Sequence, residues 1–132
     1  MLRLSRKNNK SAFWLLVLCA TVSTWLLQLV LPWWIIIPCG LILGFVFRNK
    51  VNFPFLAGFV ALFFQWSLVA LIADLENNSI LSERIAALLS LPGGSISVIL
   101  LTGLLGGLLL GSLQLSGSLL GKMFFPLPEN SY

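Results

Sequence analysis

Three glutamines, two cysteines and four carboxylates are the side chains of this 132-residue chain that could do chemistry away from its basic charges. There is no histidine, so the commonest general base and the commonest metal ligand are both missing. Gln28, Gln65 and Gln114 each lie inside an uncharged apolar run. An amide in hydrocarbon is expensive unless it is hydrogen-bonded, so these three mark intramembrane polar contacts. Counted from the span ends given below, Gln65 lies about 18 Å and Gln114 about 12 Å from the same membrane edge. At those depths they could bond to each other, to Ser112 or Ser116, or to a carbonyl. Two roles fit them: the polar lining of a substrate or ion path, or hydrogen-bonded glue between helices.

The remaining candidates point away from catalysis. Asp74 and Glu76 are spaced i, i+2 and would not face each other on a helix, so they read as a solvated helix end. Glu83 and Arg84 read as the wet face of a short helix. Cys19 and Cys39 should differ in depth by on the order of 10 Å, too far for a disulfide, and read as small apolar fillers. No nucleotide loop, zinc spacing, nucleophile elbow or arginine-rich sensor helix is present. The expectation is no catalytic residue, no metal, no cofactor and no enzyme activity.

The strongest pattern is one of packing. Gly103, Gly107 and Gly111 recur every four residues and line one helix face, and Gly117 and Gly121 repeat the spacing. Glycine at that interval lets another backbone approach closely, so that van der Waals contact drives helix association. The face could dimerise the chain or receive a partner subunit, or it could pack on other helices of the same chain.

The elements that must position these residues follow from composition. Of the chain, 58% is hydrophobic and 9% is charged, against about 25% charged in an ordinary soluble domain. So few polar residues cannot cover a water-soluble fold of this size. The fold class is therefore an all-α membrane protein, a bundle of four transmembrane helices plus a short amphipathic interfacial helix. The net charge of +4 sits at the edges of the apolar runs and reads as membrane orientation, not as a nucleic-acid surface.

Residues 1–11 are a polar, basic head with Arg3, Arg6, Lys7 and Lys10. The next uncharged stretch, Ala12 to Phe47, would reach roughly 54 Å as one helix, nearly twice a hydrocarbon core of about 30 Å. It must fold back, and Leu31-Pro32-Trp33-Trp34 is the natural place, since Pro32 breaks the helix and tryptophans suit the lipid–water boundary. That tetrapeptide is also a poor cleavage site, which argues against a signal peptide. The spans are about 12–31, 34–47, 53–73 and 95–121, in one domain covering 1–132. Asn52 is the expected N-cap of the third span, with Pro54 in its first turn. In residues 80–91, Leu81, Ile85, Leu88 and Leu89 share one helical face, as expected of a helix lying in the interface. Pro92-Gly93-Gly94-Ser95 then reorients the chain.

With four spans and the N-terminus in the cytoplasm, Arg3, Arg6, Lys7, Lys10, Arg48, Lys50 and Lys122 lie inside and Arg84 alone lies outside. If 34–47 were instead a re-entrant loop, Arg48, Lys50 and Lys122 would move outside and seven against one would fall to five against three. The positive-inside rule favours four spans, with both termini cytoplasmic in a cell inner membrane. The expected function is a non-catalytic accessory, assembly or scaffold subunit of a membrane complex. The alternative is a small homo-oligomeric channel or transporter. The expected partners are the lipid bilayer and, through the glycine face, other membrane subunits or a second copy, with no nucleic acid.

Overall fold

The computed structural model describes residues 2–126, with side chains from Lys10 onward. The side chains of Arg3, Arg6 and Lys7, and the tail from Leu127 that includes Pro128, lie outside the described set. Among the described residues the protein is all-helical, with 83% in helix. Five α-helices follow in order: α1 (Leu2–Val30), α2 (Ile36–Val46), α3 (Pro54–Glu76), α4 (Ile80–Leu88) and α5 (Ser95–Phe124), with a 3-10 turn at Trp33–Ile35 before α2. The segments Lys10–Val30, Pro54–Glu76 and Ser95–Phe124 are long and apolar enough to cross a membrane, while Trp33–Val46 is a shorter apolar helix.

Local chemistry explains the boundaries. The first long helix ends at Val30, and Pro32 adopts an extended conformation (φ −60°, ψ 161°) that turns the chain into the 3-10 segment. At α3 the N-cap is Phe53, not Asn52, and no side chain caps the helix. Proline at the first position needs no N–H partner, which removes one of the donors a capping side chain would serve. Between α4 and α5, Gly93 (φ 102°) and Gly94 (φ 62°) take backbone conformations that suit glycine.

Around α5 the bundle assembles: α3 packs along most of it, α2 along its second half, and α4 near its start, while α1 rests mainly on α3. The core is built from Leu16, Ala20, Ile36, Leu62 and Leu110, all fully buried. Large apolar side chains cover the outside, among them Leu29, Val30, Leu88 and Met123, each more than two-thirds exposed. In water such a surface would drive aggregation; against lipid it costs nothing, which fits a membrane protein.

One contact sets the faces of α4. In α4 the buried residues are Ser82 and Ala86, while Leu81, Leu88 and Leu89 are exposed and Ile85 is half-buried. The Ser82 hydroxyl donates to the Asp74 carboxylate, which turns that edge of α4 onto the bundle and leaves the leucine stripe outward.

Candidate functional site

Besides Ser82 of α4, the buried polar side chains among the described residues come from three helices. From α1, Thr24 is fully buried; from α3, Gln65 is 4% exposed; from α5, Gln114 and Ser118 are buried to within 1%. Thr24 occupies the face of Ala20 and Gln28 on α1, one turn from each, and its hydroxyl donates to Gln65 Oε1 at 2.7 Å. The same hydroxyl lies 2.7 Å from the Ala20 carbonyl, so one proton serves two acceptors. Gln65 is therefore tied to α1.

Gln114 is held elsewhere. A methyl added to Gly58 of α3 would come within 3.0 Å of the Gln114 amide carbon, and one added to Gly44 of α2 would collide with the Gln114 main-chain carbonyl. Gly58 is seven residues before Gln65, so the two amides are separated by about 10 Å along α3. That helix register is why a Gln65–Gln114 bond, one of the pairings open to them, does not form. Ser112 and Ser116 do not reach Gln114 either. They are exposed and donate back to the Leu108 and Ser112 carbonyls at 2.7 and 2.8 Å. Both Gln114 polar atoms and the Ser118 hydroxyl are buried without a protein hydrogen-bond partner among the described residues, as is Gln28 Nε2.

The glycines bring α5 against two neighbours. Gly103, Gly107 and Gly111 meet the carbonyls of Phe63, Phe59 and Phe55, which would lie within 2.8 to 2.9 Å of an added methyl. The three phenylalanine rings run down α3 in a stack, 5.7 Å apart between Phe59 and Phe63 and 6.2 Å between Phe55 and Phe59. Gly117 abuts the Leu41 backbone of α2, and Gly121 abuts the Arg48 side chain. The glycine face is thus covered by helices of the same chain.

Each end of the bundle is tied by charge. At one end the Asp74 carboxylate accepts hydrogen bonds from Ser79 at 2.8 Å, Ser95 at 3.1 Å and Ser82, joining α3, α4 and the start of α5. At the other, Arg48 Nη1 donates to the Phe45 carbonyl at 3.2 Å, and its guanidinium lies 4.9 Å from the Phe45 ring and 5.3 Å from the Phe125 ring. A cation over the last carbonyls of α2 is favourable against that helix's dipole, and ring faces attract it further.

Sequence reasoning missed Thr24, Ser118 and the serine ligands of Asp74. A helical signal existed for the first two: Thr24 is four residues before Gln28, and Ser118 is four after Gln114. None existed for Ser95, which is 21 residues from Asp74. Amides and hydroxyls donate and accept hydrogen bonds without titrating near neutral pH, so this interior can hold helices together or solvate a polar solute. Cys19 and Cys39 are free thiols. Among the described residues no group of three or more Cys, Asp or Glu converges to hold a metal ion. The chain matches no family model, no curated protein and no solved structure.

Proposed function

We propose that this chain is a four-pass integral protein of the cytoplasmic membrane, a single domain with both termini inside, serving as a non-catalytic accessory, assembly or scaffold subunit of a membrane complex. The observation that carries the reading is the use of the glycines. Gly40 and Gly44 of α2 and Gly103 to Gly121 of α5 face partners within the chain, which makes the bundle a preformed unit. What it offers outward is a broad apolar exterior, the kind of surface that packs beside other membrane helices. The fourth crossing is supported by the side-by-side packing of α2 on α5 and by the seven-to-one division of basic residues. An interfacial position for α4 is supported by its exposed leucines beside the exposed Glu83 and Arg84.

The test joins topology to assembly. Accessibility tags at residues 1 and 132 are expected on the cytoplasmic face, and crosslinking followed by mass measurement in native bilayers is expected to recover different subunits. Tags on opposite faces would overturn the four-span reading. A homogeneous self-oligomer that makes liposomes permeable to one solute would replace the scaffold with a channel or transporter. That second reading is favoured by one observation, the unpartnered polar atoms of Gln114 and Ser118 in the core.

A further inference from the structure

Two adjoining clefts run along the seam between α1 and α3, and Trp14 lines both. The first, about 530 Å³, lies at the start of α3 and has Lys10, Asn52 and the Phe53 ring in its wall. The second, about 330 Å³, continues up the seam past Thr21, Trp25 and Phe64 to Leu68. From Leu56 to Leu68 the combined groove covers thirteen residues of α3, or about 18 Å. Lys10 is exposed. Among the described residues the acids are Asp74, Glu76 and Glu83, all at or beyond the far end of α3, about 30 Å away.

We propose that this groove is a binding site for an anionic phospholipid, with the phosphate at Lys10 and Asn52 and an acyl chain along Trp14, Trp25 and Phe64. The proposal rests on the membrane reading above. Charge complementarity chooses the occupant: among the described residues the groove has a cation at one end only, and the rest of its wall is mainly apolar, with Thr21 and Gln65 as its polar members. A cation between membrane helices at the cytoplasmic surface is where anionic headgroups bind. A free phosphate would leave the apolar seam uncovered. Close helix–helix packing favours small residues at the contact, whereas this groove's rim carries Trp14 and Phe64, both large and about two-thirds exposed.

The test uses full-length protein in phosphatidylcholine vesicles doped with brominated phosphatidylglycerol or, in parallel, brominated phosphatidylcholine. Bromine quenches nearby tryptophan, and the signal lost in Trp14→Phe isolates the groove. The expected result is stronger quenching by phosphatidylglycerol, a preference that falls about fivefold in Lys10→Gln and survives in Lys122→Gln. Equal quenching by the two lipids would overturn the site, as would an equal fall in both lysine variants, which would indicate diffuse charge. So would a photo-crosslinking phenylalanine analogue at position 64 that captures a second copy or another protein in place of lipid. Flotation separates the two levels of failure. A chain that does not float with the vesicles overturns the membrane reading as well, while one that floats without lipid preference overturns the site alone.

Discussion

Gln65 and Gln114 carry the same side chain in opposite circumstances. Gln65 accepts from Thr24, whose single proton has the Ala20 carbonyl as an equally close acceptor. Removing the amide by Gln65→Leu leaves Thr24 bonded within its own helix, so the expected loss of stability is small, about 0.6 kcal/mol. Gln114 has no protein partner for either polar atom among the described residues. Gln114→Leu should therefore raise stability, by up to about 1 kcal/mol, a modest gain because an amide in separated helices is also poorly satisfied in lipid. Chemical unfolding in bicelles measures both. A marked loss in Gln114→Leu would mean that the amide has found a partner that holds the helices.

Helix ends are where the elements are joined. Asp74 lies in the last turn of α3, and it gathers hydroxyls from the turn, from α4 and from α5. Hydrogen bonds to a charged acceptor are stronger than neutral ones, so α4, only nine residues long, depends on this carboxylate more than on its own propensity. Asp74→Ala is expected to speed deuterium uptake across α4 while the first half of α3 stays protected, as read by hydrogen-exchange mass spectrometry. Unchanged protection of α4 would show that Ala86 and its neighbours suffice. Arg48 plays the matching part at the other end, laid over the glycine at position 121 between two rings.

At the scale of the molecule, the glycine contacts decide how closely the chain's own helices pack. An added methyl at Gly117 meets the Leu41 backbone, which cannot swing aside, whereas at Gly121 it meets the flexible Arg48 side chain. Gly117→Ala is expected to cost about 1 to 3 kcal/mol, as overpacking does, and Gly121→Ala distinctly less. Because the face is internal, neither change should alter the mass of the folded species in nanodiscs. A shift in that mass with Gly117→Ala would place the glycine at a contact between chains.

Composition and local chemistry pointed to an apolar solvent and to three long helices able to span it. With 9% charged residues the chain has too few polar groups to cover a water-soluble fold, and Pro32 and Gly93-Gly94 mark breaks that depend only on neighbours in sequence. The glycine interval likewise announced close packing before any partner was visible. Tertiary structure alone decided which helices meet and at what register. It put α3 against one run of glycines and α2 against the other, set the two amides about two turns apart, and brought Ser95 to Asp74. The reason is physical: in helices dominated by leucine, many rotations and slides bury similar apolar area. The choice among them falls to a few side chains distant in sequence, and their fit exists only once the helices are side by side.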